Sequence, residues 1–198
     1  MTHDLVLPAC ILGYLLGSIP FGLILTRLTG AGDLRAIGSG NIGATNVLRT
    51  GRKGLAAGTL LLDLLKGAVA VWLARAFAPG SEGLVALAAV IGHCFPLWLR
   101  FKGGKGVATT MGVGLGMAWP IGLAYAVVWL GMLALLRISS VGGMSAVVAA
   151  PLAALAIGRG DYAVVLAGIA VLVIVLHRAN IARLLAGTEP RIGKKGAA

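Results

Sequence analysis

Charge is scarce in this 198-residue chain: Asp, Glu, Lys and Arg together make up 12%, against 59% hydrophobic residues. So little polar surface cannot coat a soluble globule of this size, which excludes a soluble fold and makes lipid the main solvent. Cysteine is limited to Cys10 and Cys94, both inside apolar stretches and far from any CxxC or Cys/His spacing. A disulfide framework and a zinc site are thereby excluded, and both residues read as packing residues. Only six acidic residues occur. Asp33, Asp63 and Glu189 are too few and too scattered for a two-metal centre, so no metal is expected. The chain also lacks a Walker A loop, a Gly-x-Ser-x-Gly elbow and a His-x4-Asp pair. Those absences argue against a nucleotide loop, a serine-triad hydrolase and the soluble CoA-dependent acyl-transfer signature.

What the chain does have is long apolar runs, at about 5–26, 54–77, 83–99, 107–118, 120–136, 141–157 and 162–176. They predict an all-α integral membrane protein of seven transmembrane helices, a single membrane-embedded domain over 1–198. The fourth run is parted from the fifth only by Trp119-Pro120 and is short for a crossing, so a short or tilted helix is expected there. The first run follows Met-Thr-His-Asp, with no positive n-region and no Ala-x-Ala exit, and reads as a retained span. Arg27, Arg35, Arg49, Arg52 and Lys53 fall in the first loop, Arg100, Lys102 and Lys105 in the third, Arg137 in the fifth, and Arg178, Arg183, Arg191, Lys194 and Lys195 in the tail. Basic residues are retained on the cytoplasmic side, which puts the N-terminus outside and the C-terminus in the cytoplasm. The net charge of +11 therefore sits between spans rather than on one soluble face, so the expected partners are membrane lipids and not nucleic acid. Gly112, Gly114 and Gly116 have the spacing for close helix packing.

Two cytoplasmic loops carry glycines of another kind. Ile37 to Arg49 interleaves Gly38, Gly40 and Gly43 with Ser39, Asn41, Thr45 and Asn46 and ends on an arginine. Such a string can turn several N–H groups toward one anion, with Arg49 adding a planar fork for phosphate. Gly103-Gly104-Lys105-Gly106 precedes an apolar helix, whose N-terminal N–H groups and dipole favour an anion. Arg100, Trp98 and Phe101 suit the headgroup level instead. Asp63 and Lys66 share a helix face inside the second span and read as a structural ion pair. His177 and Asn180 also share a face, at the end of the last span; His93 lies at the same level, as do Ser139 and Ser140.

In order along the chain, Gly38-Ser-Gly-Asn-Ile-Gly-Ala-Thr-Asn46 with Arg49, Asp63-x-x-Lys66-Gly67, Gly92-His93 to Pro96, Phe101-Lys-Gly-Gly-Lys-Gly-Val-Ala-Thr109, and His177-Arg178-x-Asn180 with Arg183 resemble the motifs of the bacterial acyl-phosphate:glycerol-3-phosphate acyltransferases of the PlsY type. The resemblance spans about 13–189. It implies a multi-pass inner-membrane enzyme that works at the cytoplasmic face, moving an acyl group from acyl phosphate to the 1-hydroxyl of glycerol 3-phosphate without a cofactor and as a monomer. Products would be lysophosphatidic acid and inorganic phosphate. By the same resemblance Ser39, Arg49, Lys105 and His177 carry the chemistry. Gly40, Asn41, Gly43, Thr45, Asn46, His93, Gly103, Gly104, Ser140 and Asn180 hold substrate, although Ser139 competes with Ser140 for its place. The proton acceptor is left among His177, His93 and a substrate phosphate, the last preferred. An anion transporter is the competing class, disfavoured because the polar motifs gather at one face rather than at the midplane.

Overall fold

The computed structural model describes residues 3–193, so Lys194 and Lys195 lie outside the described residues. Hydrocarbon offers backbone groups no hydrogen-bond partner, and a spanning chain must satisfy them within helices. Among the described residues the regular structure is ten α-helices and three short 3-10 turns. They are α1 (Val6–Gly17), α2 (Phe21–Leu28), α3 (Ala44–Leu48), α4 (Lys53–Phe77), α5 (Glu82–Cys94), α6 (Val107–Met117), α7 (Trp119–Leu136), α8 (Ser139–Ala156), α9 (Gly160–Leu176) and α10 (Arg178–Leu185).

Among the described residues, five stretches are long and apolar enough to cross a membrane: Val6–Leu28, Lys53–Phe77, Glu82–Leu99, Trp119–Leu136 and Ser139–Ala156. A sixth is formed by α9 and α10 together, bent by 59°. The fourth expected span, α6, has 11 residues and is only roughly 16 Å long at 1.5 Å per residue, about half the hydrocarbon thickness. It is the short helix that Trp119-Pro120 foreshadowed.

The first span is broken where Pro20, which has no N–H, leaves the Leu16 carbonyl without its helical partner; Ile19 N–H closes a tighter turn onto that carbonyl at 3.2 Å. Two side chains satisfy the carbonyls that the break frees. Lys66 Nζ donates to Ile19 O at 2.8 Å, and Trp98 Nε1 donates to Ser18 O at 3.0 Å. Lys66 also lies 2.7 Å from Asp63 Oδ1, so the expected intramembrane ion pair exists, and its cation additionally seals the kink.

Position along the bundle is set by glycines. A Cβ on Gly112 would collide with the Leu64 carbonyl of α4, and one on Gly116 would press on Val71 and Ala68. Gly114 faces Gly122 of α7 instead. The backbones of α4 and α6 therefore touch along Leu64–Val71, and α6 begins roughly 15 Å inward from the start of α4. Its far end is held by Arg75, near the end of α4, whose guanidinium donates to the carbonyls of Gly116 and Met117 at 3.0 and 2.8 Å. Tyr125, fully buried in α7, fixes the near end by donating to Val107 O at 2.9 Å. Outward faces such as Leu130, Leu152 and Val164 are as apolar as the core and are exposed, the surface of a chain solvated by lipid.

Gly112→Ala is expected to lower thermal stability in detergent by the equivalent of about 1–3 kcal/mol, because a backbone oxygen cannot move aside. Gly131→Ala, at a helix position with open space around it, should be neutral or slightly stabilising. Melting curves of the two purified variants check the pair.

Candidate active site

The first glycine-rich loop is organised by Asn46, which is buried in α3. Its Nδ2 donates to the carbonyls of Leu34 (2.8 Å) and Ile37 (3.0 Å), while Oδ1 accepts from the Ser39 N–H at 3.2 Å. The Arg49 guanidinium reaches the same Oδ1 at 3.5 Å. Gly38 adopts φ +54°, and a Cβ there would lie 2.6 Å from Arg49 Nη1 and from Asn46 Oδ1; only glycine lets the loop close over the arginine. Thr45 ties this loop to the start of α8 by a 2.8 Å hydrogen bond with Ser139 Oγ.

The second loop doubles back on the end of α5. Gly103 and Gly104 donate their N–H groups to the carbonyls of Cys94 and His93, each at 3.0 Å. A Cβ on Gly104 would strike Nε2 of His93. Gly104 therefore admits the His93 ring, Gly103 the close approach of the His93 and Cys94 carbonyls, and the amides of both are not available to an anion as the sequence had suggested. Lys105 and Gly106 follow, delivering the ammonium and the open N-terminus of α6 into the bundle. His93 is buried, with Nδ1 3.7 Å from Asp63 Oδ1 and without a hydrogen bond.

Between the loops lies a cavity of about 720 Å³. Ser39, Asn41, Gly43, Thr45, Asn46 and Arg49 line it from the first loop, and Lys105 from the second. His93, Ser140, His177 and Asn180 reach it from α5, α8 and the α9–α10 bend. The structure thus brings together eleven of the residues singled out in the sequence. Gly40, Gly103 and Gly104 stand outside the lining; the Gly40 N–H is also taken, by the Ile37 carbonyl at 2.9 Å. At the bend, His177 Nδ1 is 2.7 Å from the Val173 carbonyl. A carbonyl only accepts, so Nδ1 carries the proton and Nε2 of the neutral ring is an acceptor.

Sequence reasoning missed the chain end as a wall of the site. Beyond α10 the chain folds back so that Glu189 to Gly193 line the cavity, secured by the Ile192 N–H donating to Arg137 O at 2.7 Å. Glu189 accepts from Ser140 Oγ and Asn180 Nδ2, both at 2.6 Å, and from Arg183 Nε at 2.7 Å. Burial alone would raise its carboxyl, but those three donors prevail and hold it below the ordinary glutamate value. Lys105 is pushed below the ordinary lysine value, first by burial and then by repulsion from Arg183 and Arg49, with Glu189 opposing. Asp63 and Ser139 also line the cavity. The detectable signal for Glu189 was a lone acid thirteen residues after the final apolar run, within a basic tail. Among the described residues no group of three His, Cys, Asp or Glu side chains is placed to hold a metal ion.

Residues 7–187 match the protein family described as glycerol-3-phosphate acyltransferase. A glycerol-3-phosphate acyltransferase of Novosphingobium aromaticivorans is 72% identical over 185 residues, 93% of this chain and 94% of that protein. Another, from Erythrobacter litoralis, is 65% identical over 187 residues, 94% and 95% of the two chains. The fold matches the crystal structure of PlsY (YgiH), an integral membrane glycerol 3-phosphate acyltransferase, in its glycerol 3-phosphate form. The TM-score is 0.90 at 38% identity, over 95% of this chain and 96% of that one. The lysophosphatidic acid form superposes with a TM-score of 0.88.

Asn46→Asp keeps the side chain's shape but removes both N–H donors to Leu34 and Ile37. Losing two buried hydrogen bonds at about 1 kcal/mol each should open the loop more than tenfold more often. Faster trypsin cleavage at Arg35, Arg49 and Arg52 in the purified variant is the expected readout.

Proposed function

Because the chain belongs to the glycerol-3-phosphate acyltransferase family, we propose that its cavity transfers a fatty acyl group from acyl phosphate to the sn-1 hydroxyl of glycerol 3-phosphate. The observation that carries this reading is the convergence of Arg49 and Lys105, from two separate loops, on one cavity that also holds His177 and Asn180. Two anionic substrates must meet, and fixed cations with nearby hydroxyl and N–H donors offset their repulsion.

Ser39, Asn41, Gly43, Thr45 and Arg49, with the N-terminus of α6, take the acyl phosphate group. Lys105 stands between the two phosphates, and Ser140, His177 and Asn180 face the glycerol phosphate. Asn46 works by holding the loop, and His93 by backing Gly104 beneath Lys105. Leu48, Leu60, Val107 and Trp129 supply the apolar wall along which the acyl chain leaves toward lipid.

An acyl phosphate is a mixed anhydride, so the leaving group is already good and orientation is the main task. The hydroxyl oxygen attacks the carbonyl carbon, the bond from that carbon to the phosphate oxygen breaks, and the hydroxyl proton ends on phosphate. Lysophosphatidic acid and inorganic phosphate result. His177 Nε2 orients the hydroxyl as acceptor, while a substrate phosphate takes the proton.

The same reading makes the protein a monomer crossing the inner membrane seven times, with α6 as the short pass and the cavity at the cytoplasmic face. Support comes from the basic loops: the first loop, the second glycine-rich loop, the start of α8 and the tail all meet at the cavity end of the bundle, as positive-inside sorting requires.

With palmitoyl phosphate and glycerol 3-phosphate in detergent, phosphate release should depend on both substrates and proceed without added metal. Arg49→Ala should cut kcat/KM by about 100-fold, the loss of a charge-assisted contact. His93→Ala and His177→Ala should each keep measurable turnover, with His177→Ala raising KM for glycerol 3-phosphate. Abolition of turnover by either histidine change alone, in folded protein, would remove the phosphate as base; absence of release by wild-type protein would overturn the transferase.

A further inference from the structure

Asn180 sits between a group that can only donate and a group that can only accept. Lys105 Nζ donates to its Oδ1, and its Nδ2 donates to Glu189 Oε1 at 2.6 Å. An amide turned the other way would set N–H against ammonium and carbonyl against carboxylate, so the orientation follows from the two charges. Glu189 is itself immobilised: Ser140 Oγ shares Oε1, Arg183 Nε holds Oε2, and the side chain is 6% exposed.

We infer that Glu189 is a positioning residue, which acts through the amide of Asn180 to hold the Lys105 ammonium at the meeting point of the two substrate phosphates. The inference rests on the reading of Lys105 given under the proposed function. Glu189 contributes in two ways. It locks Asn180 with its carbonyl toward Lys105, and among the described residues it is the carboxylate that favours the charged form of an ammonium otherwise faced by Arg49, Arg183 and His177, with Asp63 and His93 lining the same cavity. With position 189 neutral, Asn180 is free to turn, Lys105 loses its acceptor, and the surrounding cations favour its uncharged form. The sign is definite: a lysine already below its ordinary value moves further down, so the charged form is lost at lower pH.

Lys105 reactivity toward an amine-acylating reagent, followed by mass spectrometry across pH, tests this without substrate. Glu189→Gln should shift the labelling midpoint of Lys105 down by about one unit, and the alkaline limb of kcat/KM should shift with it, with KM for glycerol 3-phosphate rising about tenfold. Asn180→Asp alone sets two carboxylates together and should lose more than 100-fold in turnover. Combined with Glu189→Gln, the new carboxylate at 180 accepts from Lys105 and from the new amide at 189, restoring the order of donors and acceptors. At least tenfold recovery over Asn180→Asp, with the labelling midpoint back near wild type, is expected.

An unchanged midpoint in folded Glu189→Gln overturns the inference. Should Glu189→Gln fail to fold, the double variant decides: recovery of fold and midpoint supports positioning, and failure to recover either overturns it. Wild-type protein that makes no lysophosphatidic acid while its Lys105 midpoint still responds to position 189 would sink the transferase reading and leave the positioning role standing.

Discussion

The contact on which the rest of the site depends is the glycine seam between α4 and α6. Gly112 and Gly116 let the α6 backbone lie directly on that of α4, and the contact falls beyond residue 63 rather than at the start of the helix. A short helix placed that deep leaves its first turn, with its unpaired N–H groups, buried halfway along the bundle. The chain must therefore descend to reach it, and the loop carrying Lys105 becomes the floor of a cavity rather than a surface turn. Irregular backbone at such depth is tolerable only where protein or an aqueous cavity supplies its partners. The pairing of Gly103 and Gly104 with Cys94 and His93 meets that requirement.

Charge inside the bundle is handled in two ways. Asp63 and Lys66 neutralise each other, and Lys66 also serves the carbonyl freed at Pro20, so that pair belongs to the architecture. Among the described residues no carboxylate lies within ion-pairing distance of Arg49 or Lys105, and both line the cavity. Two cations without paired carboxylates in a buried cavity are costly unless anions arrive to meet them, which is why the arrangement suits a phosphorylated substrate. Glu189 tempers this excess without ending it, because its carboxylate is shared among Ser140, Asn180 and Arg183.

Much of this was legible in the linear sequence, because membrane chains write their constraints locally. Run length and residue placement along the chain indicated helices, the short α6 and loops in which the polar motifs gather, since each depends on neighbouring residues alone. The two glycine-rich loops, Arg49, Lys105, His177 and Asn180 could be read from residue type and spacing. Less could be said of what each glycine does. The amides of Gly40, Gly103 and Gly104 seemed free to bind an anion, yet each meets a carbonyl, two of them on a neighbouring segment of backbone that spacing does not reveal.

By itself, then, the sequence determined a helical chain solvated by lipid, the order of its apolar runs and the inventory of cations, hydroxyls and amides in its polar loops. Only the tertiary structure decided which donors remain open, how deep Lys105 lies, and that Glu189 returns from the chain end to sit against Asn180. Hydrophobic run length and charge sorting act over one helix and its loops. The partner of a hydrogen bond is chosen by packing between segments as distant as residues 105, 140, 180 and 189.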